Sequence, residues 1–151
     1  MAIWIIVIHW RKSIRREFIR DMKPREINTS NLDTATAQEV FDHISFFLLK
    51  QGRKSGYHDS AGFECAYRGD NGTKCAAGCI VEDEKYDSAM EGKSWFNDYN
   101  DDTVTDKFGI THSHGKLITS MQIIHDSAEV EEWSDNFRTI AKLNSLTWIN
   151  F

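Results

Sequence analysis

Thr36-Ala37-Gln38-Glu39 reads as a capping box, in which a hydroxyl and a carboxylate three residues apart satisfy two free backbone N–H groups. Val40, Ile44 and Leu48 follow at i, i+4 and i+8, and Phe41, Phe47 and Leu49 widen the stripe. Gly52 follows Gln51, where a left-handed C-terminal cap belongs. The pattern predicts a helix over 36–51, and its apolar face has to be covered by other elements. Two further periodic stretches can cover it. One spans 115–126, with Leu117, Met121 and Ile124 in register. The other spans 129–143, with Val130, Trp133, Phe137 and Ile140 on one face. Glu129, Glu131 and Glu132 fill the first turn of the latter, where the helix dipole favours negative charge.

The stretch between the first helix and the last two is punctuated rather than periodic. Gly56, Gly62, Gly69, Asn71-Gly72 and Gly78 fall within it, together with Cys65, Cys75 and Cys79. Asn-Gly accepts positive φ at both positions and is a strong hairpin turn. Residues 64–68 and 74–81 are therefore expected to pair around it. The alternative is that 75–81 opens a short buried helix, because alanine suits a helix better than a strand. Residues 82–106 show no lasting period and are expected to be loop with short helical turns. The fold class that follows is α+β: a small, mostly helical single domain with a short β-hairpin insert. With 151 residues, 40% of them hydrophobic, the chain is of a size to form one core.

Charge divides the chain. Residues 1–30 hold seven basic residues (Arg11, Lys12, Arg15, Arg16, Arg20, Lys23, Arg25) against Glu17, Asp21 and Glu26, a net of +4. The remainder stands at −9 within a total of −5, so non-specific nucleic-acid binding is not expected. The opening run from Met1 to Trp10 is too short to cross a bilayer, and it precedes its basic residues, the reverse of a signal peptide. Residues 1–30 are read as an N-terminal extension from an upstream start, as a docked strand, or as a peripheral anchor. The compact domain is expected over 31–151, with the boundary at Pro24 and Asn28-Thr29-Ser30-Asn31. Three cysteines suit reduced thiols in a cytosol rather than a disulfide framework.

Cys65-Ala66-Tyr67-Arg68-Gly69, Gly72-Thr73-Lys74-Cys75-Ala76-Ala77-Gly78-Cys79-Ile80, Asp83-Glu84-Lys85-Tyr86, Met90-Glu91-Gly92 and Ile124-His125-Asp126 form a recurrent set of motifs. In these pieces the chain resembles a family of small tailed-phage and proteobacterial proteins without an assigned activity, over roughly residues 34–148. The resemblance implies a bacterial host cytoplasm and a non-enzymatic role on a host component, such as counter-defence or host takeover. Members of that family usually begin close to the first helix, which supports the extension reading of the N-terminus.

Several constellations carry chemistry. His58, Cys65, Cys75 and Cys79 offer four ligands for a structural zinc, with Cys75 and Cys79 at knuckle spacing. The competing reading is tight packing of small side chains with no cofactor. His112 and His114 alternate as chelating histidines would, with Asp106, His125 and Asp126 as possible partners. His125-Asp126 also resembles the paired ligands of HD-type phosphohydrolases, with Asp42-His43 and Asp135 as poor candidates for the rest of that set. No G-x-S-x-G elbow, phosphate loop or dinucleotide fingerprint occurs, and no catalytic residue is assigned.

Nine carboxylates over 82–106, interleaved with Tyr86, Trp95, Phe96 and Tyr99, read as a solvated loop or as a surface for a partner. Tyr67, Arg68, Trp95, Phe96 and Tyr99 are the expected contacts with a host protein or a nucleotide ligand. Arg53, Lys54 and Arg68, with Tyr67 for stacking, form a basic set that suits a phosphate-bearing small molecule.

Overall fold

The computed structural model describes residues 23–151. The strand, anchor and extension readings of residues 1–22 lie outside the described residues. Six regular elements follow in chain order: α1 Ala37–Gln51, β1 Gly56–Asp59, β2 Gly62–Cys65, α2 Val104–Lys107, α3 Gly115–Ser127 and α4 Trp133–Leu143. Single 3-10 turns lie at Leu32–Thr34, Asp70–Gly72, Asp83–Lys85, Ser88–Met90 and Val130–Glu132. The protein is a small helical α+β domain. No helix among the described residues is long and apolar enough to cross a membrane.

α1 forms as its sequence directs. The Glu39 N–H donates to the Thr36 hydroxyl at 3.2 Å, and the Thr36 N–H donates to the Glu39 carboxylate at 2.8 Å. At the other end Gly52 takes φ +62° and donates its N–H to the Leu48 carbonyl at 2.9 Å, a left-handed cap that a Cβ would strain. Val40, Phe41, Ile44 and Leu48 are buried on the face toward α3 and α4, and Phe47 and Leu49 pack at its edge. α3 buries Leu117, Ile118 and Met121, and His125 takes the next place in that stripe. In α4 the buried side chains are Trp133, Phe137, Ile140 and Ala141, after a capping box between Glu129 and Glu132. The C-terminal tail returns to α1, where Gln38 donates to the Thr147 carbonyl at 2.9 Å and accepts its N–H at 2.8 Å. That sets Trp148 edge-on to Phe41, with ring centroids 6.1 Å apart.

The hairpin lies earlier than expected. β1 and β2 pair antiparallel from Gly56↔Cys65 to Asp59↔Gly62. Asp59 accepts the N–H groups of Ala61 (2.7 Å) and Gly62 (3.1 Å) in their turn. Asn71-Gly72 does turn the chain, with φ of +57° and +72°, yet only Arg68↔Lys74 bridges behind it. Residues 75–81 curl instead of extending, with the Cys79 N–H on the Cys75 carbonyl at 3.0 Å. The groups a ladder would use are engaged by side chains instead: the Tyr67 and Arg68 N–H groups donate to Glu91, and the Gly78 and Val81 carbonyls accept from the Arg68 guanidinium. The backbones of Gly78 and Tyr67 touch, and a Cβ on Gly78 would sit 2.3 Å from the Tyr67 carbonyl oxygen.

The irregular middle also supplies core. Ala66, Tyr67, Cys75, Ala76, Ala77, Ile80, Val81, Met90, Trp95 and Val104 are buried with the helical stripes. Ile27 is 1% exposed, and the Thr29 N–H donates to the Ile80 carbonyl at 3.1 Å, so the packed unit already includes the Ile27–Ser30 stretch that the boundary expected from the sequence would divide. Glu82 fastens that stretch. It accepts from the N–H groups of Thr29 and Ser30, both at 3.2 Å, and from both hydroxyls. Burial alone would raise the pKa of Glu82, but hydrogen bonds from Ser30, Thr29 and Lys85 outweigh it and bring the value to about 2.

Gly78→Ala is expected to lower stability by about 1–3 kcal/mol, as overpacking does, and a fall in the urea midpoint with unchanged m-value would show it; an unchanged midpoint would refute the crowding. A carboxylate whose folded pKa is depressed contributes stability above its unfolded pKa and loses it as pH falls toward the folded value. Amide exchange at Ser30, corrected for intrinsic rate, should therefore accelerate between pH 4.5 and 2 in the natural chain. In Glu82→Gln it should already be fast at pH 6.

Candidate functional site

The residues expected to hold zinc are not brought together. The His58 ring sits on the hairpin, 5.2 Å from the Phe63 ring. Cys75 is wholly buried, and its sulfur accepts the Gly78 N–H at 3.2 Å. The Cys79 thiol donates to the Ala76 carbonyl at 3.1 Å. Burial pushes the Cys75 pKa up to about 12 and raises that of Cys79 as well. These two thiols are placed as small packing groups.

Cys65 has other neighbours. Its sulfur, a His125 nitrogen and an Asp126 carboxylate oxygen lie within 4.8 Å of one another. His125 is fully buried and stacks on Trp133 at 5.5 Å. The Ser55 N–H donates to His125 Nε2 at 2.9 Å, which leaves the ring proton on Nδ1 to donate to Asp126 Oδ1 at 2.7 Å. Gln122 donates to the same oxygen at 2.8 Å and accepts the Ala77 N–H at 3.0 Å. Both imidazole nitrogens are thus committed, and a metal would have to displace Asp126 or the Ser55 N–H. The donor set does not fit a metal centre as it stands. Nor is Cys65 an activated nucleophile: burial, and then the Asp126 charge, push its pKa up to about 11. The cluster is a clamp that fastens the root of the hairpin, through Ser55 and Cys65, to the end of α3.

His112 and His114 stand at the opposite end of α3 from His125, roughly 16 Å away at 1.5 Å per residue. His112 Nε2 bonds Asp106 at 2.9 Å, and His114 donates to the Ala35 carbonyl at 2.8 Å while capping the helix with φ +59°. No hydrolase constellation of His112, His114, His125 and Asp126 is assembled.

The expected contact surface is largely internal. Trp95 is 0% exposed and Tyr67 5%, its hydroxyl donating to the Lys93 carbonyl at 2.9 Å. Phe96 packs where Gly115 opens α3. Only Tyr99, at 96% exposure, offers its whole ring to solvent. The Arg68 guanidinium donates to the carbonyls of Gly78 (2.5 Å) and Val81 (2.7 Å) and to Asp83 (3.1 Å), and it lies over the Tyr86 ring at 5.0 Å. Tyr67, Arg68 and Trp95 therefore hold the fold and offer little surface to a partner. The acidic stretch is engaged likewise: Asp102 with Lys93, Asp98 with Lys116, Asp83 with Lys74.

An open site lies elsewhere, in a groove of about 700 Å³ between the C-terminal half of α1 and the Asn71-Gly72 turn. Phe46 and Phe47 form its apolar floor, and Lys23, Lys50, Arg53 and Lys74 line it, with Glu26 the one carboxylate in the lining. Lys50 Nζ stands 5.7 Å from the centre of the Phe46 ring, a cation held over an aromatic face. Gln51 joins the two basic segments. Its amide donates to the carbonyls of Arg53 (2.9 Å) and Lys74 (3.0 Å), and its oxygen accepts the Lys74 N–H at 3.0 Å. Among the described residues Lys50 and Arg53 have no carboxylate within ion-pair distance. Arg53 was in the basic set read from the sequence. Lys50, Lys74 and Gln51 were not, because residues 51 and 74 are joined only by folding. Lys54, the remaining member of that set, caps the Asp126 carbonyl at 3.2 Å.

No protein-family model, curated protein or solved structure matches the chain.

His125→Ala should cost about 2–4 kcal/mol, through the cavity beneath Trp133 and the unpaired Ser55 N–H. Urea unfolding followed by Trp fluorescence measures it. A chelator should leave the midpoint of the natural chain unchanged, whereas a fall would mean that the cluster holds a metal after all.

Proposed function

We propose that this chain is a non-enzymatic binding protein and that its ligand, anionic and partly apolar, occupies the groove beside α1. The observation that carries this reading is a set of cations on an aromatic floor in a chain whose net charge is −5. Cations gathered against the sign of the whole chain lower the energy of an anion placed among them. The volume is that of a small-molecule cleft. Among the described residues no metal set and no activated nucleophile lines the groove: Cys79 in its wall is half-buried with a pKa raised by burial, and His43, the imidazole in the lining, stands 3.5 Å from the Cys79 carbonyl oxygen. Binding, rather than turnover, is the chemistry these groups support.

The resemblance to small phage-type accessory proteins supports a bacterial host cell as the source of the ligand. In that setting the protein would sequester or sense a host component. The contact residues move from Tyr67, Arg68 and Trp95, which are internal, to Lys50, Arg53 and Lys74.

The fluorescent anion 1-anilinonaphthalene-8-sulfonate carries an aromatic body and one charge, so it probes this chemistry directly. It should bind the folded protein at one site, and Lys50→Glu combined with Arg53→Glu should weaken it by about tenfold or more. Both side chains are at the surface, so unchanged circular dichroism would accompany the loss. Binding indifferent to the double charge reversal would remove the groove from consideration.

A further inference from the structure

The groove has more structure than a generic anion site requires, and this inference rests on the reading above. Three of its cations, Lys50, Arg53 and Lys74, lie around the end of α1 and the Asn71-Gly72 turn, and Phe46 and Phe47 line the same groove. A bare inorganic anion would fill a small part of about 700 Å³ and would leave Phe46 and Phe47 uncovered. A purely apolar ligand would leave Lys50 and Arg53 without a counter-charge among the described residues. The complementary molecule therefore has a flat apolar ring at one end and several negative charges at the other.

We propose that the groove binds a nucleoside polyphosphate, with the base over Phe46 and Phe47 and the phosphates on Lys50, Arg53 and Lys74. Gln51 ties the backbones of Arg53 and Lys74 to the end of α1, so the two stretches that carry these cations are set before the ligand arrives. Lys74 is further oriented by Asp83 at 2.7 Å. The C-terminus of α1 carries a partial negative charge that opposes an anion. The Gly52 N–H already caps the Leu48 carbonyl there, and several full positive charges around the groove outweigh what remains. Aromatic rings stack with any base face, and such contacts are sequence-tolerant.

An extended nucleic acid strand does not fit the same surroundings. Asp83, Glu82 and Glu84 follow directly beyond Lys74 along a neighbouring hollow, and the chain as a whole is acidic. A long polyanion leaving the groove would meet these carboxylates, whereas a single nucleotide ends before them.

The experiment is displacement of bound 1-anilinonaphthalene-8-sulfonate from the full chain by ATP, GTP, CTP and UTP, with adenosine and pyrophosphate as partial ligands. At least one triphosphate should displace the probe about tenfold more tightly than either partial ligand. Lys50→Glu should weaken that displacement about tenfold, and Phe46→Leu should weaken the triphosphate without affecting pyrophosphate. Pyrophosphate equal to the best triphosphate, or a Phe46→Leu variant that binds triphosphate normally, would overturn the nucleotide assignment. A probe that binds in the groove and is displaced by none of the four would overturn it too, while leaving the anion-binding reading in place. A probe insensitive to the charge reversals would instead remove that reading.

Discussion

The carbonyls of Tyr67, Gly78 and Val81 belong to no helix and no strand, and Arg68 supplies the donors that satisfy the last two at 2.5 and 2.7 Å. A buried carbonyl without a donor costs free energy comparable to a lost hydrogen bond, so a segment of this kind stays packed only where a side chain replaces the ladder. Glu91 does the same from the other side. It accepts the N–H groups of Tyr67 and Arg68 at 2.8 and 3.0 Å and the Tyr86 hydroxyl at 2.8 Å. One guanidinium and one carboxylate together take the place of a sheet between β2 and α2. The fixed fork of arginine suits two divergent carbonyls in a way that a lysine ammonium does not. Once 67–81 is held, Lys74 is fixed opposite Gln51 and the groove has its second wall.

The helices were legible because their stabilising information is local. Thr36 and Glu39 cap one another, Gly52 ends the same helix, and the stripes of α1, α3 and α4 repeat at helical spacing. The middle was not legible for the opposite reason. Its hydrogen bonds join residues 10 to 24 positions apart, through Arg68 and Glu91, and no period in the sequence records such pairs. Asn71-Gly72 turned as its residues require, yet the backbone groups that strands around it would have paired are taken by Glu91 and the Arg68 guanidinium. The hairpin formed one segment earlier, where both strands are mostly exposed and show no alternation that a reader could use.

The sites divide in the same way. Composition drew attention to the cysteines, the acidic run and its aromatics, because those residue types carry chemistry when they are exposed. Burial changes their meaning. Cys75, Trp95 and Tyr67 are core, and most carboxylates between 82 and 106 hold a lysine, a hydroxyl or a backbone N–H. His125 was noticed as a ligand and proves to be the last member of a buried stripe, where its two nitrogens replace a backbone donor and a backbone acceptor. What the sequence could not show is the meeting of Lys50, Arg53 and Lys74, since a single glutamine side chain brings the two stretches together.

The electrostatics of the whole chain bear on how selective that meeting can be. Around the groove Lys74 is paired with Asp83, whereas Lys50 and Arg53 have no acidic partner among the described residues; Glu26 stands in the lining, and Glu82 and Glu84 in the next hollow. Such an arrangement concentrates positive potential in a short span and reverses it within a few residues. At physiological ionic strength the screening length is about 8 Å, so an approaching anion senses the groove only at close range, after passing a surface that repels it. A long polyanion leaving the groove past Lys74 would meet Asp83, Glu82 and Glu84, which a small one does not reach. The floor then decides among small anions, because the free energy of covering Phe46 and Phe47 is available only to those that carry a ring.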